Sequence, residues 1–153
     1  MKSRSWISRS EEETIAIGEE IARELPSKAA VLLIGNLGAG KTTLTKGIVL
    51  GLGAALADEV SSPTFTLIHE YSPRVIHIDL YRLDTPQEVA TLGLEEIFDR
   101  DAVVLIEWGE RFPDFMPAER IEVRLVATDE NSRRIELTSS AVTGAGPASG
   151  STP

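Results

Sequence analysis

The residues best suited to chemistry form one stretch, Gly35-Asn36-Leu37-Gly38-Ala39-Gly40-Lys41-Thr42-Thr43. It fits G-x-x-x-x-G-K-[ST], a loop whose backbone N–H groups cradle phosphate oxygens. The glycines let the chain wrap closely around an anion, a helix N-terminus adds further amides, and Lys41 brings a mobile positive charge. Thr42 is then left to place its hydroxyl on a magnesium ion. The surroundings agree with this, because the apolar run Ala29–Ile34 precedes the loop and a helix-like segment ending near Leu52-Gly53 follows it. The stretch predicts a site for a nucleoside triphosphate.

Such a site needs a carboxylate for the metal, delivered by a strand beside the loop strand. Asp79 and Glu107 both stand at strand ends. Glu107 has the better claim, because Ala102-Val103-Val104-Leu105-Ile106 is an uninterrupted apolar run of the kind that would neighbour the loop strand. Asp79 either serves the attacking water or a metal-bound water, or it caps the turn that follows. Thr64 lies in the proline-stiffened Ser61-Ser62-Pro63-Thr64-Phe65-Thr66, where it is either a switch residue closing on the terminal phosphate or an ordinary turn residue. His77 alternates with Ile76 and Ile78 and reads first as a packed side chain. Trp108 directly follows Glu107, and it either stacks near the nucleotide or fills a groove. With two histidines and no cysteine, a structural zinc site is untenable. No Asn-Lys-x-Asp segment follows the loop, which favours adenine over guanine.

The elements that must position these groups are legible in outline. A chain of 153 residues, 42% of them apolar, is about one domain with a core. Its apolar runs are strand-sized rather than membrane-spanning, and residues 1–7 are basic without the apolar run of a secretory signal, so a cytoplasmic protein is expected. A net charge of -9 suits it poorly to gripping nucleic acid directly, so any nucleic acid should be held by a partner. Ser10-Glu11-Glu12-Glu13 is a capping box, and Ile17, Ile21 and Leu25 form the stripe of a helix that Pro26 ends. Leu44, Ile48 and Leu52 line the helix after the loop. Residues 65–70 and 75–79 read as an antiparallel hairpin about Ser72-Pro73-Arg74. Thr85-Pro86-Gln87-Glu88 caps a helix running toward Leu92-Gly93, and Leu94–Phe98 adds a short helical piece. Alternation about Ile121, Val123 and Leu125, and about Ile135 and Leu137, closes the domain with two antiparallel strands. The expected fold class is α/β: a single P-loop domain over residues 1–138, with a mixed, mainly parallel sheet flanked by helices and a C-terminal antiparallel strand pair. Residues 139–153 carry no charge and are expected to form a disordered tail.

Taken in order, residues 35–43, Ser62-Pro63-Thr64-Phe65, His77-Ile78-Asp79-Leu80-Tyr81-Arg82-Leu83 and Ile106-Glu107-Trp108 resemble the TsaE (YjeE) family. This is the ATPase component of bacterial tRNA threonylcarbamoyladenosine synthesis, and the likeness runs over residues 10–138. The resemblance implies an ATPase that uses magnesium and acts with the TsaB and TsaD proteins, supporting threonylcarbamoyl transfer to the adenosine next to the anticodon. It also implies that Lys41 and Thr42 meet the phosphates and magnesium, that Glu107 meets the metal, and that Asp79 is essential. Residues 10–14, Ser10 among them, would approach the adenine, with Arg133 and Arg134 nearby. Asn36 stands where the family often has an acidic residue, and Gly109 where proline is frequent. Two other classes share the phosphate loop. A small-molecule kinase would need an acceptor pocket and an arginine-bearing lid, whereas a non-catalytic switch would signal by ordering the segment around Thr64.

Overall fold

A computed structural model describes residues 3–36, 38–54 and 67–139 of the chain. Leu37, Thr64 with its neighbours at 62–65, and residues 140–153 lie outside the described residues. The elements in order are β1 (Arg4–Ser8), α1 (Glu11–Glu24), β2 (Ala29–Ile34), α2 (Lys41–Gly51), β3 (Ile68–Ser72), β4 (Val75–Asp79), α3 (Pro86–Ala90), α4 (Leu94–Phe98), β5 (Val103–Glu107), β6 (Ile121–Ala127) and β7 (Arg133–Ser139).

The strands make one seven-stranded sheet in the order β1-β7-β6-β2-β5-β4-β3. Both apolar runs lie at its centre, and β2 pairs in parallel with β5 on one side and with β6 on the other. Strand β4 extends the parallel part beyond β5, and antiparallel pairing is confined to β3–β4, β6–β7 and β1–β7. The mixed sheet with a parallel centre is the one expected. Register matters most for function: Leu33 lies opposite Glu107, which lies opposite Asp79. Both carboxylates therefore stand at one level and on one face, where β2 gives way to the glycine-rich loop.

Several local readings change. β1 was not anticipated; its alternating residues bring Trp6 onto the core and let the indole donate to Glu20 of α1. At the start of α1, Ser10 Oγ accepts from Glu13 N as a capping box predicts, but Glu13 accepts from Arg9 N rather than from the cap itself. Thr85 and Glu88 form the complete reciprocal box. Helix α3 stops at Ala90, short of the expected Leu92-Gly93, and α4 starts after Gly93 with φ +68. β7 continues through Ser139, which pairs with Ile121, one residue past the expected domain end.

Two apolar layers sandwich the sheet. Ile17 and Ile21 of α1 and Leu44 and Ile48 of α2 cover the face carrying Val31, Leu33, Leu105 and Val123. Leu80, Leu83, Val89, Leu94, Phe112 and Met116 cover the opposite face, against Leu32, Ile78, Val104 and Ile106. The α1–α2 crossing is close because glycines meet there: a Cβ on Gly47 would stand 2.1 Å from Ile15 O, and one on Gly18 would stand 2.6 Å from Leu44 O. This contact sets how α2, and hence the phosphate loop at its start, lies on the sheet. Gly47→Ala tests it. Helix propensity alone favours alanine by about 1 kcal/mol, whereas forcing apart two packed backbones costs roughly 2–3 kcal/mol. The melting temperature should therefore fall by at least about 3 °C, with Lys46→Ala in the same helix within about 1 °C of the parent. A rise for Gly47→Ala would show that the crossing is loose.

Candidate functional site

The loop ends at Gly40, which takes φ +105 as the N-cap of α2 and supplies no side-chain cap. The opening amides of α2 are thus left for a ligand or solvent. That φ favours glycine, and a Cβ there would also lie 2.7 Å from Arg133 Nε of β7, so the arginine side chain would have to move aside. Arg133 is consequently packed against the loop, at the same level as Ser8 and Ala127.

Around this helix end is a cavity of about 650 Å³. Its walls include Gly38, Gly40, Lys41, Thr42 and Thr43 from the loop and α2, with Asp79, Glu107, Trp108 and Arg133 facing them. Nine of the residues singled out in the sequence therefore converge on one space. Ser10 does not line it, since its hydroxyl caps α1, and the adjacent Glu11 does so instead. Asn36 is exposed and accepts from Ala39 N in the turn that shapes the loop; Ala39 is buried beneath it. Leu67, Tyr81 and Arg82 complete the lining among the described residues. The last two lie two and three residues past Asp79 in the stretch His77–Leu83, and that nearness is the signal for them.

Lys41 is the central group. Only 5% of it is exposed, and its Nζ has no hydrogen-bond partner among the described residues. The ammonium lies 3.6 Å from the centroid of the Trp108 ring, a cation–π contact. Burial pushes its pKa below the ordinary lysine value, and the nearby Glu107, Glu110 and Asp79 carboxylates oppose that shift without cancelling it. Trp108 reaches the lysine because its backbone adopts φ +67, the one positive value on a non-glycine among the described residues. A left-handed tryptophan carries strain, and strain of this kind collects at functional sites. Its ring also leans against Tyr81, at 5.2 Å between centroids.

The two carboxylates are held differently. Asp79 Oδ1 accepts from Tyr81 N at 2.9 Å, so the capping role is real, and the residue also lines the cavity. Its own N–H donates to Leu67 O, which ties the strand end to the entry of β3. Glu107 Oε2 lies 2.7 Å from Nε2 of His77, which is completely buried. The packed reading of His77 therefore holds for its burial and misses its partner. No group of three or more histidine or acidic side chains could hold a metal among the described residues. A magnesium ion fits such a place, because it is commonly bound through one carboxylate, water and substrate phosphates rather than by an all-protein cage.

A glycine-rich loop between a central parallel strand and a helix, with strand-end carboxylates level with it, defines a P-loop α/β protein. Within that class the chain has specific relatives. The family model described as Threonylcarbamoyl adenosine biosynthesis protein TsaE matches residues 8–135. Two proteins named tRNA threonylcarbamoyladenosine biosynthesis protein TsaE are similar over most of their length. The one from Nostoc sp. is 44% identical over 134 residues, 83% of this chain and 80% of the relative. The one from Bacillus subtilis is 38% identical over 141 residues, 90% of this chain and 87% of the relative. The crystal structure of Bacillus subtilis YdiB superposes with a TM-score of 0.76 at 32% identity, covering 93% of this chain and 88% of that one. The chain belongs to the TsaE family and to tRNA threonylcarbamoyladenosine biosynthesis.

Lys41 gives a signed test of the site without ligand. Because its folded-state pKa lies below the ordinary 10.5, its charged form opposes folding, and that cost is relieved as pH rises from the folded value toward 10.5. Lys41→Met should therefore melt at least about 2 °C above the ligand-free parent near neutral pH, with the gap narrowing as pH approaches 10. Thermal melts across pH check both signs. A variant less stable than the parent at every pH would mean that the surrounding carboxylates satisfy the ammonium.

Proposed function

We propose that the protein binds ATP with magnesium in the 650 Å³ cavity and hydrolyses it in support of tRNA threonylcarbamoyladenosine formation, acting on a complex of TsaB- and TsaD-type proteins. The observation that carries this reading is the buried Lys41 ammonium, which lacks a hydrogen-bond partner among the described residues, stands at the mouth of a glycine-rich loop and lies near two strand-end carboxylates. A polyanion would supply the missing partners, and the α2 N-terminus favours negative charge.

In this reading residues 36–43 wrap the phosphates and Lys41 meets their terminal oxygens. Thr42 and Glu107 hold the magnesium, which when bound neutralises charge on the β- and γ-phosphoryl oxygens. Asp79, fixed by the Tyr81 amide, orients the attacking water. Thr64 is assigned to the γ-phosphate. Trp108 confines Lys41 and screens the site from solvent, while Glu11, beside Ser10, and Arg133 bound the side that takes the adenosine. The lining cations Lys41, Arg82 and Arg133 are matched in number by Glu11, Asp79 and Glu107. Net positive charge for the transition state is thus small, and pre-positioned charge supplies most of the rate in phosphoryl transfer. Hydrolysis should be slow until a partner completes the site. The chain's own charge of -9 leaves the tRNA to the TsaB–TsaD side.

One assay series tests this. Steady-state release of phosphate from ATP should rise severalfold or more when the TsaB- and TsaD-type proteins are added, with no phosphorylated acceptor formed. Asp79→Asn and Glu107→Gln should each reduce the stimulated rate about a hundredfold or more while the fold persists. tRNA should not bind the isolated chain measurably at about 0.15 M salt. A fast rate indifferent to partners, or a phosphorylated small molecule as product, would replace this reading with a kinase.

A further inference from the structure

His77 is the buried polar group that the proposed chemistry leaves without a task. It lies on β4 opposite Leu105 of β5, so Glu107, two residues further along β5, is its diagonal neighbour on the same face of the sheet. Nε2 is 2.7 Å from Glu107 Oε2, and both residues are almost wholly removed from solvent. A carboxylate accepts, so the imidazole proton of this bond sits on Nε2. Nδ1 has no partner among the described residues. A side chain needed only for packing would be better served by leucine, which fills such space without a stranded ring nitrogen. The Nε2 bond is therefore what favours histidine here. The ring is also held in place: Tyr71 of β3 stacks on it, with centroids 6.3 Å apart and planes 23° apart.

We propose that His77 is the positioning residue of the magnesium site. By donating from Nε2 it holds one oxygen of Glu107 and fixes the carboxylate's rotamer, so that the other oxygen serves the metal bound with the nucleotide. This rests on Glu107 being the metal carboxylate. Partners of this kind orient first ligands in metal sites, and their loss commonly costs 10–100-fold in metal affinity or activity. The buried pair also joins β4 to β5 next to the active level of the sheet, so Tyr71, His77 and Glu107 form a continuous path from β3 to the site.

The test measures binding of a non-hydrolysable ATP analogue to the full chain, in excess magnesium and in EDTA. His77→Leu should bind as the parent does, within about twofold, in EDTA, and should lose about tenfold or more of the affinity gained from magnesium. His77→Gln, whose amide nitrogen can take the Nε2 place, should retain most of that gain, and His77→Asn, which is too short, should not. This Gln–Asn comparison also decides the matter if the leucine variant fails to fold. Equal magnesium gains in Gln and Asn, or a full gain in His77→Leu while Glu107→Gln loses it, would reduce His77 to packing. A full gain in Glu107→Gln would instead overturn the metal assignment on which the inference rests.

Discussion

The structure turns on one unfavourable arrangement, an ammonium buried without a hydrogen bond among the described residues. Lys41 begins α2, where the loop has just left the central strand, and its charge rests on the face of Trp108 rather than in water. Desolvation of that charge outweighs the attraction of Asp79, Glu107 and Glu110, which is why its pKa falls. A fold sustains such a group only where the surrounding elements are firmly fixed. Here that support comes from the Gly18–Gly47 crossing of α1 on α2, from the parallel ladders of β2, and from the left-handed turn at Trp108.

The carboxylates owe their position to register rather than to local sequence. Because β2, β5 and β4 run in parallel and in step, the strands end together, and Asp79 and Glu107 arrive side by side where the loop begins. A one-residue slip of β4 would turn Asp79 to the opposite face, toward Leu32, Val104 and Ile106. That register is well specified, since both faces of these strands are buried. On the other flank, β6 and β7 bring Arg133 against Gly40, so the C-terminal hairpin belongs to the site as well as to the sheet, and β1 pairs along its outer strand.

Much of this was legible in the residues. The phosphate loop, both carboxylates and Trp108 were identified from their places after apolar runs, and Gly38, Gly40, Lys41, Thr42 and Thr43 of the loop line one cavity with Asp79, Glu107 and Trp108. Periodicity located the helices and the hairpin because Ile17, Ile21, Leu44 and Ile48 repeat at helical spacing. What stayed hidden was relational. Strand order decides that β6 lies beside β2, and no local pattern announces that. β1 is short and half exposed, so its alternation was weak, and its place comes from pairing with β7. His77 looked like core because it is core, while its bond to Glu107 spans two strands thirty residues apart. Ser10 was read as near a nucleotide, but a hydroxyl committed to a helix cap leaves that wall of the cavity to Glu11.

If the buried ammonium exists to meet a polyanion, its removal must be felt first in nucleotide affinity. Calorimetric titration of Mg-ATP into the parent and into Lys41→Ala measures this directly. Truncating one member of a desolvated charge pair costs roughly 2–5 kcal/mol, so the dissociation constant should rise at least about tenfold in the variant. An unchanged constant in a folded Lys41→Ala would contradict the account, because the charge around which the cavity is built would then have no part in binding.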